Sequence, residues 1–213
     1  MMAAHDLRNP LTVLLGAAGM LLGEALPDSS QVLVRMIERQ STVLAELVSD
    51  LAALGELEEG SVEILPRDVN VSEVVMEAVE TAGLRPSDVT VNVRTSGRAW
   101  VDRTHLQRIL VNLVGNAKKY GREGIAVSAR TANPGSIEVC VSDAGPGVPE
   151  AFVAHLFDKF SRADPDGGEP GRGLGLAIAA GLAELNHGRV WYEPNVPHGS
   201  RFWLQLPTAR TST

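Results

Sequence analysis

The spacing of apolar residues changes character near residue 60, and no single kind of element can satisfy both patterns. In the first stretch Leu7, Leu11, Leu14, Ala18 and Leu21 are separated by 4, 3, 4 and 3 residues. Leu33, Ile37, Gln40, Leu44, Leu47, Leu51 and Leu54 keep the same alternation. A mean step near 3.5 marks a coiled-coil-like helical seam. Between the two runs, Pro27-Asp28-Ser29-Ser30 supplies a breaker followed by N-cap candidates. The simplest product is an antiparallel helical hairpin over residues 1–60. Val13, Leu15, Leu22, Val43 and Val48 fall off this seam. A second hairpin would cover them, which predicts a four-helix bundle built by dimerisation. Gln40 interrupts the seam, either to fix register or because it lies at a solvated edge.

Gly55-Glu-Leu-Glu-Glu-Gly60 closes the second helix and opens a linker. From Ile64 onward the period falls to two in several places. Residues 90–94, 125–129, 137–141 and 200–206 read as strands, with helical stretches at 71–82, 103–120 and 174–186. The fold class is therefore α+β: a helical hairpin over 1–60, then an α/β sandwich over 61–213 with a mostly antiparallel or mixed sheet. The tail after Pro207 reads as disordered.

Composition narrows the partners. The 19 Lys and Arg against 26 Asp and Glu give a net charge of −7. An acidic chain without basic runs is poorly suited to nucleic acid or to an anionic membrane surface. Aromatics are only 4% of the chain, so aliphatic packing must carry the core. Cys140 is the one cysteine. It sits in an alternating run and reads as a buried strand residue, and a reducing compartment fits. The apolar run 11–22 is too short to span a bilayer, which takes about 20 residues, and no secretory leader is visible. The expected location is cytoplasmic. Only four residues precede His5, and a helix carrying it would ordinarily start earlier. A longer parent is expected, with a sensor or membrane segment upstream that anchors it in the inner or plasma membrane.

Several short strings carry chemistry. Neutral His5 is a nitrogen nucleophile. Its neighbour Asp6 can hold or deprotonate the imidazole if the backbone is adjusted. Pro10 lacks the N–H that would bond the Asp6 carbonyl, so it should kink the helix. Asn112 and Asn116 are four apart and share a helix face. Two amide side chains there either decorate a surface or hold Mg²⁺, a cation that prefers oxygen ligands. Lys119 can neutralise phosphate and Tyr120 can cover a base or ribose.

Asp143 follows a strand and can accept hydrogen bonds from an amino group of a base. Gly145 and Gly147 allow close backbone approach, as in any tight turn. Residues 164–170 are polar and glycine-rich, as suits a lid. Gly171-Arg172-Gly173-Leu174-Gly175-Leu176 precedes a helix, where backbone N–H groups can face phosphates. It lacks the Gly-Lys-Ser/Thr ending of a Walker loop, and no strand directly precedes it as in a dinucleotide fingerprint.

Taken in order, these strings resemble the catalytic core of a sensor histidine kinase, over nearly the whole chain. His5-Asp-Leu-Arg-Asn-Pro10 resembles the H-box. Asn112-Leu-Val-Gly-Asn-Ala-Lys-Lys-Tyr120 resembles the N-box of the Bergerat ATP-binding fold. Asp143-Ala-Gly-Pro-Gly147 resembles the G1 box, Phe157-Asp-Lys-Phe-Ser-Arg162 the F-box, and Gly171–Leu176 the G2 box. Gly199-Ser-Arg-Phe202 resembles the last glycine motif. The resemblance implies ATP and Mg²⁺ as cofactors and autophosphorylation of His5, with Asp6 as proton acceptor. It also implies transfer to the receiver domain of a response regulator, with a homodimer as the working form.

By the same resemblance Asn9 positions water for dephosphorylating the regulator, and Asn116 is the main Mg²⁺ contact. Arg162 reaches the terminal phosphate. Phe160, Arg172, Gly173, Leu174, Gly175 and Leu176 complete the nucleotide pocket with Asn112, Lys119, Tyr120, Asp143, Gly145 and Gly147. Two rivals stand beside it. An ATPase of the same fold would carry Glu where this chain has Asn112, because it must activate water. A degenerate, non-catalytic dimerisation or phosphotransfer module would not be expected to keep Asn116, Asp143 and the glycines.

Overall fold

The computed structural model describes residues 2–22, 27–85, 87–93, 97–121, 124–133, 135–163 and 173–208, with the backbone alone for residues 2–10. The chain forms two compact units, Met1–Val62 and Glu63–Thr213.

The first unit is a helical hairpin. α1 spans Met2–Leu22 and continues through Pro10. α2 spans Asp28–Glu59 and stops at Gly60, whose left-handed φ of 63° lets its N–H return to Leu57 O. Asp28 and Ser29 do not cap α2. Pro27 takes the cap position with no side-chain bond, and both residues fall inside the first turn, as does Ser30. The Pro27 carbonyl accepts the N–H groups of Ser30 at 2.9 Å and Gln31 at 3.0 Å, which starts the helix without a side-chain cap.

The seam between the helices also differs from expectation. Leu11, Ala18, Val34, Ser41 and Val48 are buried, with Leu15, Leu22, Ala45 and Ala52 half-buried beside them. Leu14, Leu21, Leu33, Ile37, Leu44 and Leu51 face outward at 43–61% exposure. Two apolar stripes with the same 3.5-residue period run along α2. The stripe with small side chains, Ser41, Ala45 and Ala52, turns inward because small residues allow helix axes to approach closely. Among the described residues nothing covers Leu33, Ile37, Leu44 and Leu51, whereas Leu47 is half-buried and Leu54 buried on the same run. No described helix is long and apolar enough to cross a membrane.

The second unit is a two-layer sandwich. Its elements are β1 (Arg67–Asn70), α3 (Val71–Thr81), β2 (Val89–Val93), β3 (Arg98–Val101), α4 (Arg103–Asn116), β4 (Ile125–Asn133), β5 (Ser136–Ser142), α5 (Glu150–Val153), α6 (Gly175–Leu185), β6 (Arg189–Pro194) and β7 (Ser200–Pro207). The main sheet has the order β2-β4-β5-β7-β6, with β2 parallel to β4 and the other pairs antiparallel. β1 and β3 form a separate antiparallel ribbon. β7 alternates buried and half-exposed residues along its length. Val127, Val139 and Leu204 of the sheet and Leu106, Ile109, Leu113, Ile178 and Ala179 of the helices are all fully buried and make up the core.

The other face of the sheet carries a ladder of rings and charges. Trp191 and Trp203 stack with centroids 5.8 Å apart. Arg130 lies 4.6 Å above the Trp203 ring and Arg189 lies 4.6 Å above Trp191. Glu193 accepts both indole N–H groups. On the neighbouring strand Glu138 and Cys140 are buried, and burial pushes the Cys140 thiol up to about 11. A thiol held protonated in this way is a poor nucleophile.

A polar cluster anchors the start of α4. Asp102 caps the helix, its Oδ1 accepting the N–H of Thr104 at 2.8 Å and of His105 at 3.2 Å. Asn186, at the end of α6, accepts the Asp102 N–H at 2.9 Å through Oδ1. The Asn186 amide nitrogen therefore faces Leu182 O at 2.7 Å and His105 Nδ1 at 3.0 Å. Nδ1 must accept, so His105 is neutral with its proton on Nε2. Burial, with Arg108 acting in the same direction and Asp102 opposing, holds the His105 pKa below its ordinary 6.5. A depressed histidine pKa contributes stability that is present above pH 6.5 and lost as pH falls toward the folded-state value. Stability of the second unit to urea should thus fall as pH drops below 6.5, and less so in His105→Gln. Parallel pH profiles for the two proteins would contradict this.

Candidate nucleotide-binding site

α4 does not end as a plain helix. After Asn116 the chain widens into a π-helical turn, Ala117–Gly121, which carries Lys119 and Tyr120. Such turns are rare and concentrate at functional sites. The wider turn delivers Gly121 onto Asp143, at the end of β5. A Cβ on Gly121 would lie 2.3 Å from Asp143 Cβ, closer than any side chain tolerates.

Asp143 is only 3% exposed and is held on every side. Its Oδ1 accepts the N–H of Gly145 at 2.9 Å and of Ser200 at 3.2 Å. Its own N–H reaches Ser200 O at 3.0 Å, and its carbonyl accepts from Asn195 Nδ2 at 2.8 Å. With Oδ1 committed to the protein, Oδ2 is the oxygen that can receive a ligand. Among the described residues none donates to it. Gly145 packs on Tyr120 O and Gly121, each 2.7 Å from where a Cβ would stand, and Gly147 has a φ of 76° beside Gly199.

The other wall is made by Asn112 and Gly175. Gly175 opens α6, and a Cβ there would sit 3.1 Å from Asn112 Oδ1. Asn112 Nδ2 is buried without a hydrogen-bond partner. An amide in that state fits a site completed by a ligand, because an unpaired buried donor costs about 1–3 kcal/mol. Asn116 is half-buried one turn further along the same helix. Lys119 Nζ donates to the Tyr120 hydroxyl at 2.6 Å, and Tyr120 is 48% exposed. Leu174 is buried at 1% and Leu176 is half-buried.

Phe160 and Gly173 form a neck. Both have left-handed φ, 62° and 66°, and Phe160 N–H donates to Gly173 O at 2.9 Å. A side chain at position 173 would meet Ser161 O at 2.4 Å. Arg162 follows on this strand of the neck and is half-buried. Arg172 and the segment 164–170 lie outside the described residues, as do the side chains of His5, Asp6 and Asn9 and the tail 209–213.

The roles of four contributors were not legible in the sequence. Gly121 stands immediately after the motif string and is required by the approach of Asp143. Asn195 and Ser200 orient Asp143; Ser200 stands in the Gly199–Phe202 string, and nothing local marks Asn195. Lys118 donates to Ala82 O at 2.6 Å and Gly83 O at 3.2 Å, satisfying carbonyls at the end of α3. Among the described residues no three His, Cys, Asp or Glu side chains come together as a metal cluster.

The fold is that of a large class of ATPases. Residues 101–210 match the family described as Histidine kinase-, DNA gyrase B-, and HSP90-like ATPase, and residues 1–60 match the His Kinase A (phospho-acceptor) domain. With both parts present in this order, the chain belongs to the sensor histidine kinase family. It is 33% identical over 220 residues to the signal transduction histidine-protein kinase/phosphatase MprB of Mycolicibacterium paratuberculosis, covering 96% of this chain and 42% of that protein. It is 31% identical over 217 residues to the circadian input-output histidine kinase CikA of Synechococcus elongatus, covering 96% and 29%. The chain thus spans less than half the length of either relative.

Among solved structures it is similar to full-length ShkA in complex with AMPPNP, with a TM-score of 0.79 and 26% identity over 98% of this chain and 45% of that one. The histidine kinase AdeS of Acinetobacter baumannii gives 0.70 and 25% identity over 96% and 98%.

The two glycines facing polar side chains should respond unequally to a methyl group. Gly121→Ala should cost about 3 kcal/mol, because Asp143 cannot retreat from its four bonds. Gly175→Ala should stay within about 1 kcal/mol, because the Asn112 amide can shift and alanine favours a helix. Urea denaturation checks both, and equal losses would contradict the assignment.

Proposed function

We propose that this chain uses ATP to phosphorylate His5 and passes the phosphoryl group to an aspartate on the receiver domain of a response regulator. The observation that carries the reading is the convergence of Asn112 on Gly175 and of Asp143 on Gly121 and Gly199, in a chain whose first helix bears His5. In this reading Asp143 Oδ2 accepts the adenine amino group. Tyr120 covers base or ribose, while Lys119 and Arg162 face phosphate oxygens. The N–H groups from Gly173 to Leu176 open α6 toward the phosphates. Phe160 walls the pocket, and Arg172 joins the phosphate-facing groups.

The reaction is an in-line transfer. An imidazole nitrogen of His5 forms a bond to the γ-phosphorus as the bond to the bridging oxygen breaks and ADP leaves. The imidazole proton passes to Asp6. Asn116, with Asn112, would hold Mg²⁺, which supplies charge neutralisation on the phosphates. Asn112 is an amide and a poor base, so the pocket favours transfer to His5 over activation of water. Asn9 would position water for dephosphorylating the regulator, giving the phosphatase activity that the name of the MprB relative also carries.

The working form is a homodimer. The outward stripe of Leu33, Ile37, Leu44 and Leu51 needs a cover, and a second hairpin provides the same stripe in return. Docking of a receiver domain falls to the helical unit below His5. The location is cytoplasmic, with the parent anchored through a segment outside this chain.

Incubation with γ-labelled ATP and Mg²⁺ should give acid-labile, base-stable label that disappears in His5→Gln. Acid-stable label, or label persisting in that variant, sinks the proposal. Replacing Ile37 and Leu44 together with Glu should convert the dimer to monomer in light scattering, since each burial is worth about 2 kcal/mol. A dimer that survives the pair would place the interface elsewhere.

A further inference from the structure

The polar cluster at the start of α4 lies outside the pocket, and it does more than cap a helix. Asp102 divides its carboxylate. Oδ1 is occupied by Thr104 and His105, the first turn of α4. Oδ2 accepts the N–H of Leu65 at 3.0 Å. Leu65 belongs to the segment that leaves the hairpin, 37 residues earlier in the chain. Asp102 is itself fixed, because its N–H is held by Asn186 from α6 and its residue is 9% exposed. The helix it caps is the one that carries Asn112 and Asn116.

The linker is therefore pinned before it reaches β1. α2 ends at Glu59, so only residues 60–64 lie between the helix end and the grip, and β1 begins at Arg67. Five residues reach at most about 18 Å when fully extended. Released at Leu65, the tether would gain two residues and a free exit direction.

We propose that the Asp102–Leu65 hydrogen bond is a strap that sets the length and exit point of the tether between the hairpin and the pocket-bearing unit. Asp102 is then a positioning residue for phosphoryl transfer to His5. The proposal rests on the kinase reading above. The lengthening alone is a small effect: effective concentration falls roughly as the −3/2 power of tether length, a loss of less than about twofold. A hydrogen bond to a charged acceptor can bias an orientation by about tenfold. A loss between these limits, about fivefold, is the mark of a fixed exit rather than a shorter rope.

Two variants remove the bond from opposite sides. Leu65→Pro deletes the donor and leaves the cap of α4 untouched. Residue 65 precedes Pro66, which already favours the extended backbone a proline accepts. Asp102→Asn keeps one oxygen for the cap and turns an NH₂ toward Leu65. Each should slow the appearance of acid-labile label on His5 at saturating ATP about fivefold, while affinity for a non-hydrolysable ATP analogue stays within about twofold. The double variant should be no slower than the slower single, because both break one bond.

The strap is overturned if Leu65→Pro labels His5 within twofold of the parent rate, if analogue affinity falls in parallel with the rate, or if the two effects multiply. Hydrogen exchange gives an arm independent of catalysis. The Leu65 amide should be protected in the parent chain and lose protection in Asp102→Asn, and an unprotected parent amide overturns the strap outright. A protected amide in a parent chain that places no label on His5 overturns the kinase reading first, and the positioning role with it.

Discussion

Asp143 and the two glycines against it, Gly121 and Gly199, form the contact on which the pocket depends. Cβ atoms at those glycines would lie 2.3 Å from Asp143 Cβ and 2.0 Å from Asp143 O. The carboxylate is thus seated in a space defined by missing side chains. Its Oδ1 is spent on two backbone N–H groups. That expenditure fixes where Oδ2 must be. The end of the π turn, the end of β5 and the start of β7 are all drawn to this one residue.

α4 is the member that joins this contact to the rest of the second unit. Its first turn is capped by Asp102, its middle fills the core with Leu106, Ile109 and Leu113, and its last turns carry Asn112 and Asn116. The π turn that follows sends Lys118 back to the end of α3 while Gly121 goes forward to Asp143. The helix is therefore held at both ends by charged or polar groups and along its length by aliphatic packing.

The parts legible in the sequence are those whose chemistry is local. Asn112 and Asn116 share a face because four residues span about one helical turn, and the glycine strings announce close approach wherever they fall. The parts that were not legible depend on distant partners. β1 is four residues long, and its register comes from β3, about thirty residues later. Nothing in Ala117–Gly121 marks a π turn, because the widening is imposed by where Gly121 must arrive. The inward face of the hairpin was legible only in part: Leu11, Ala18 and Leu54 turn inward as the seam implies, while Leu14, Leu33, Ile37, Leu44 and Leu51 do not, because two apolar stripes of equal period compete. What separates them is side-chain size at Ser41 and Ala45, not hydrophobicity. Asn186 looked like a helix end, and its bond to Asp102 spans 84 residues.

The stacked tryptophans of the outer sheet face have a consequence of a different kind. The hairpin contains no Phe, Tyr or Trp, so all nine aromatic residues of the chain lie in the second unit. The near-ultraviolet spectrum is blind to the hairpin, which contributes strongly to helical far-ultraviolet ellipticity. Two indoles 5.8 Å apart are close enough for their transitions to couple, and they sit on β6 and β7, whose pairing they report. The two units of one chain thus carry separate optical signatures, and the melting of each can be followed in the same cuvette without any label.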